Sequence, residues 1–134
     1  MDKLKALQEK LSSFEDACKI EGLDPKKVIP DFSCYPEQHR ESMESHARIV
    51  IIVAAANRVS NEGNPWFPDF DDRSQPKYEV WFKKSSSGFR FHDCDRWFTF
   101  SFVGSRLCVK GIKECEHIGK YFPDLYKKFM IINN

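Results

Sequence analysis

The chain has 134 residues, twelve Phe, three Trp and four Tyr among them, with a formal net charge of +1. That length suits one ordinary domain with its own aromatic-rich core, and that charge excludes a strongly basic nucleic-acid binder. The balance is uneven: through Pro76 ten Lys/Arg face fourteen Asp/Glu, and beyond it eleven face six, so the acidic half precedes a basic one.

Leu4, Leu7, Leu11, Phe14 and Cys18 recur at spacings of three and four, the stripe of an amphipathic helix. Ser12 with Glu15 and Ser13 with Asp16 fit a capping signature, which predicts an ordered helix from Ser13 and a looser extension over residues 1–12. Gly22 ends it. Asp24 caps, and Pro25 opens, a short turn that Pro30 closes. A second helix is predicted from Pro36 to about Ser60. Its later part, IVIIVAAA from Ile49 to Ala56, is apolar on all sides, which predicts a helix surrounded by protein. That run is far shorter than the ~20 residues of a bilayer span. One glycine and three prolines then make residues 61–76 a loop.

After the loop the period changes to two. Tyr78, Val80 and Phe82 alternate with Glu79, Trp81 and Lys83, and SSSG turns the chain into Phe89 and Phe91. Phe98, Phe100 and Phe102 alternate with Trp97, Thr99 and Ser101, and VGSR turns again into Leu107 and Val109. This predicts a three- to four-stranded antiparallel meander with Phe98, Phe100 and Phe102 facing the core. From Ile112 the helical spacing returns through Cys115, Ile118, Phe122, Leu125, Tyr126 and Phe129, with Pro123 kinking or dividing that helix. The expected fold is one α+β domain over residues 1–134, order α-α-β-β-β-β-α. Its N-terminal helices and one C-terminal helix pack on one face of the meander.

Five cysteines are an odd number, and MDKLKALQEK has no apolar run behind a basic start. The expectation is a chain that is not exported, with its thiols reduced. No metal is expected. His39 and His46 stand seven residues apart on one helix, about 10 Å along its axis, and no CxxC pair occurs. No nucleophile elbow, P-loop or HExxH is present, and Asp69, Asp71 and Asp72 read first as a solvated turn, so neither catalysis nor a cofactor is expected.

Several stretches form a shared pattern. They are Pro30 to Ser33; Pro36, Glu37, Arg40, Ser42, Met43 and His46; Trp66, Pro68, Asp69 and Phe70; Lys77, Tyr78, Trp81 and Phe82; Ser87 to Phe89 with Phe91; Val103 to Cys108; and Gly119, Lys120, Phe122, Leu125, Tyr126, Lys127 and Phe129. In these the chain resembles small uncharacterised proteins encoded by phages and prophages of Bacteroides-type bacteria, over nearly its whole length from Phe14. It departs from them at Phe67, Gly111 and Pro123. The resemblance implies a phage-borne origin and a setting in the host cytoplasm or the virion. It carries no activity.

Two readings of VGSRLC stand side by side. In one, Gly104 allows a tight hairpin whose Ser105 hydroxyl and Arg106 guanidinium hold a phosphate; in the other, Arg106 pairs within the fold with a carboxylate such as Asp95. Trp81 and Trp97 with Lys83, Arg90 and Arg106 would form a platform for bases and phosphates if the rings are exposed. The expected function is therefore binding without chemistry: a phage accessory protein that sequesters a small phosphate-bearing, nucleotide-like ligand or blocks a host protein. A virion component, which predicts a homo-oligomer, is the alternative, and a single-stranded nucleic-acid module a third.

Overall fold

The computed structural model describes residues 2–98 and 100–132. Five helices and a two-stranded antiparallel sheet make an α+β fold: α1 (Lys3–Lys10), α2 (Phe14–Glu21), α3 (Glu37–Ser60), β1 (Tyr78–Ser85), β2 (Gly88–Arg96), α4 (Ile112–Tyr121) and α5 (Pro123–Met130).

The N-terminal capping signature holds, but it separates two helices. The Ser13 hydroxyl accepts from the Asp16 amide at 3.1 Å, and the Asp16 carboxylate accepts from the Ser12 amide and hydroxyl at 3.0 Å. These bonds hold the Asp16 carboxyl below its usual value, the Ser12 amide contributing most. Gly22 adopts the left-handed conformation, φ 71°, that closes α2. Lys3–Lys10 is a packed helix rather than a loose extension. Leu7 and Leu11 are fully buried, because α1 packs against α3 and α4.

α3 is the longest element and contacts all four other helices. Ile49, Ile52, Val53, Ala55 and Ala56 are buried, whereas Val50 is 44% exposed, so the helix is not enclosed on every side. Asn57 is a buried polar residue that follows its apolar run. Its amide donates to the Cys108 carbonyl at 3.1 Å and its carbonyl accepts from the Lys110 amide at 3.0 Å. Val109, held between them, makes the only further bridge to the sheet, pairing with Tyr78 among the described residues.

β1 and β2 pair from Tyr78↔Arg96 to Ser85↔Gly88, with a bulge between Trp81 and Phe82. Gly88, φ 115°, supplies a turn conformation that a side chain would strain. Val80, Phe82, Phe89, Phe91 and Cys94 join the core, while Trp81 points out. It is α4 and α5 that lie on the sheet. Gly119 allows this approach, since a Cβ there would overlap the Phe91 ring. Pro123 divides the last helix: α4 ends at Tyr121 and α5 begins at the proline.

Three expectations are corrected. Beyond Arg96 no described residue continues as a named strand, so the order is α-α-α-β-β-α-α rather than a meander of three or four strands. Phe98, Phe100 and Phe102 are 59, 69 and 52% exposed instead of lining the core, because Val80, Phe82, Phe89 and Phe91 with the helices already fill it. Cys94 and Cys115 form a disulfide between β2 and α4, whereas Cys18, Cys34 and Cys108 are free. Burial raises the Cys18 thiol and pushes that of Cys108 up to about 12, so both behave as apolar core groups.

His117 is also buried, and its Nε2 meets the Leu11 carbonyl, which only accepts, so Nε2 donates. Burial holds the imidazole below its usual 6.5 despite that bond, and Lys120 adds to the effect. A group kept neutral by the fold contributes stability that is present above its unfolded value and lost as pH falls below it. Unfolding free energy should therefore fall from about pH 7 to about pH 5, and His117→Gln should flatten that slope. Equal slopes in urea titrations would contradict this. Leu7→Ala should cost about 2–5 kcal/mol, against under about 0.5 kcal/mol for a residue in a loose extension.

Candidate functional site

Each end of the stretch that leaves the sheet is fastened to the same carboxylate. The Trp97 indole N–H donates to Glu79 Oε2 at 2.5 Å, and the Ser105 hydroxyl donates to Glu79 Oε1 at 2.9 Å. The Trp97 amide also donates to the Lys77 carbonyl at 2.8 Å, and Ser105 Oγ accepts from the Leu107 amide at 3.0 Å. Trp97 and Ser105, the ends of this excursion, thus meet over the outer face of β1, as the ends of an Ω-loop do.

A second loop, residues 61–76, packs against it. Lys77 is buried, and its ammonium donates to the carbonyls of Asp72 and Gln75 at 2.7 and 3.1 Å beneath the Phe70 ring. Gln75 crosses the loop, accepting from the Asp69 amide at 2.6 Å and donating to the Phe67 carbonyl at 3.2 Å. Asp69 and Asp72 cap local turns through the amides of Asp71 and Ser74, and the Ser74 bonds hold the Asp72 carboxyl low. The Phe70 ring meets Trp97 edge to face and lies so close to Gly104 that a Cβ there would overlap it.

The two loops together present an aromatic surface. Phe67, Phe98, Phe100, Phe102 and Val103 are each more than half exposed. The Arg73 guanidinium stands 4.5 Å from the Phe100 ring centre and 5.4 Å from that of Phe102, and Phe98 meets Phe100 edge to face at 5.0 Å. An open groove of about 380 Å³ runs between Phe67, Phe70, Phe102 and Arg106. Phe102 has φ 61°, a conformation that costs a bulky side chain on the order of 1–3 kcal/mol.

The residues singled out in the sequence do not all converge. Trp97, Gly104 and Ser105 meet around Glu79 and Phe70, with Arg106 exposed next to them. Lys83 and Arg90 face each other across the hairpin, with Lys83 four residues from Glu79, roughly 13 Å along the strand. Trp81 opposes Asp93 and is 50% exposed, while Trp97 is half-buried. A single basic and aromatic platform on the sheet is therefore not formed. Gly104 does not carry a positive φ either; what excludes a side chain there is the Phe70 ring. Arg106 makes no pair with Asp95, and among the described residues it has no hydrogen bond or ion pair.

Sequence reasoning passed over Phe67, Arg73 and Glu79. An arginine between Asp72 and Ser74 looks like one more loop charge, and only three dimensions set it over two rings. No group of three or more acidic, His or Cys side chains suits a metal ion among the described residues, and no described helix is long and apolar enough to cross a membrane. The chain matches no protein-family model, no curated protein and no solved structure.

The Glu79 clamp is open to direct measurement. Glu79→Ala should unfasten both loop ends and cost about 1–3 kcal/mol as two half-buried hydrogen bonds to a carboxylate are lost, with a red shift of tryptophan emission as Trp97 meets more water. Glu79→Gln should lose less, because its carbonyl still accepts one of the bonds. An unchanged emission maximum in Glu79→Ala would contradict the clamp.

Proposed function

We propose that this chain is a non-enzymatic phage accessory protein that acts by binding, and that its target is a host protein surface. The phage setting comes from the resemblance in sequence. The mode of action rests on one observation: four phenylalanines and a valine, at 52 to 69% exposure, stand together on two loops fastened to a rigid fold. Monomeric domains rarely leave such side chains contiguous, and aromatic rings with arginine are what protein interfaces favour.

The same surface is less suited to the other ligands. A small phosphate-bearing molecule is best held in a concave site, whereas this groove is open and the Ser105 hydroxyl is committed to Glu79. Single-stranded nucleic acid stacks on bare ring faces, but Arg73 already covers Phe100 and Phe102, and exposed Asp69, Asp71 and Asp72 flank the patch. A role in the virion shares the interface chemistry and predicts co-purification with particles.

One observation favours a second reading, anion capture at the Gly104–Arg106 stretch: the Arg106 guanidinium is exposed and unpaired among the described residues. Two variants separate the readings. Phe100→Asp should lower retention of a host protein on the immobilised chain at least tenfold while its helical circular dichroism stays unchanged, and nuclease treatment should have no effect. Arg106→Ala should leave that retention within about threefold, whereas an anion site would lose at least tenfold in affinity for inorganic phosphate, the equivalent of a charge-assisted bond of about 1.5–3 kcal/mol. Equal retention by wild type and Phe100→Asp would overturn the protein-binding reading.

A further inference from the structure

We infer that the aromatic surface docks on a second copy of this chain before any target meets it, the two copies meeting patch to patch across a two-fold axis. The inference rests on reading this surface as a binding surface, and it names what covers that surface when the chain is alone.

Area is the first argument. At 69, 59, 69, 52 and 66% exposure, Phe67, Phe98, Phe100, Phe102 and Val103 leave uncovered on the order of 600 Å² per chain, given about 150–250 Å² for an aromatic side chain. A specific interface takes about 800 Å² from each partner. These five side chains alone supply most of that, and the surrounding rim supplies the rest.

Charge is the second. The rim holds both signs, Asp69, Asp71 and Asp72 beside Arg73, with Arg106 across the groove, all exposed. A two-fold interface must be complementary to itself, and a patch carrying carboxylates and guanidinium groups meets that condition when one copy's acids face the other's arginines. A polyanion would be repelled by the same carboxylates.

Sedimentation velocity over roughly 1 to 500 μM tests this. The wild type should pass from the 15.7 kDa chain to twice that mass. Phe100→Asp should shift the transition at least tenfold upward, and Arg73→Glu should weaken the dimer while Arg73→Lys restores most of it. Thermal melts establish that the variants are folded. A wild type that stays monomeric at the highest concentration, or a dimer that forms equally well in Phe100→Asp, overturns the inference. A monomeric wild type whose capture of a host protein is still lost in Phe100→Asp would sink the dimer and leave the protein-binding reading intact.

Discussion

One carboxylate decides what this molecule shows to its surroundings. Glu79 sits on the outward face of β1 and accepts from Trp97 at the start of the excursion and from Ser105 at its end. Because the two bonds use its two oxygens, a flexible stretch becomes a loop of fixed ends. Closing a loop of this size costs chain entropy that grows only slowly with length, so two charge-assisted bonds and the Trp97–Phe70 contact are enough to offset it. The aromatic side chains between the ends are then held outward, with no room for them in a core already filled from the sheet and helices.

The clamp works because both strands around it are anchored. After Ser105 the chain re-enters the core at Leu107, and buried Asn57 binds it on either side of Val109. Val109 in turn pairs with Tyr78, one residue before Glu79. On the other side of the sheet, the Cys94–Cys115 disulfide and the close contact of Gly119 with Phe91 hold β2 against α4. A disulfide across a separation of 21 residues restricts the unfolded chain by about 2–4 kcal/mol. The excursion therefore rises from rigid ground, which is the property that lets a loop bind with little ordering cost.

Much of the frame was legible in the sequence. Local signals carried it: Ser13 with Asp16, Gly22, the apolar run ending near Ala56, Pro123, and the alternation about Val80. The misreadings arose where a local pattern competes with a finite core. Phe98, Phe100 and Phe102 repeat every second residue as a buried strand does, but periodicity reports only that they share a face, not that space remains for them. Leu4 to Leu11 looked expendable because Ser12 and Ser13 opened a better capped helix, and only the packing of α1 on α3 and α4 shows why it orders. Of the candidate site, Trp97, Ser105 and Arg106 were found by composition. Glu79, which organises two of them, was invisible, since a charged residue alternating with apolar ones reads as one more solvent-facing position.

Amide hydrogen exchange in dilute solution tests the central claim, that residues 97–105 are a fastened loop and not a third strand. The amides of Phe100, Phe102 and Val103 should exchange at least about a hundredfold faster than those of Tyr78 and Val109, each of which donates to the other's carbonyl, at 2.9 and 2.8 Å, since exposed amides with no backbone partner among the described residues open at almost no free-energy cost. Protection of Phe100 and Phe102 equal to that of Tyr78, in a sample shown to be monomeric, would mean that the stretch is a strand of the sheet, and the aromatic surface would not exist.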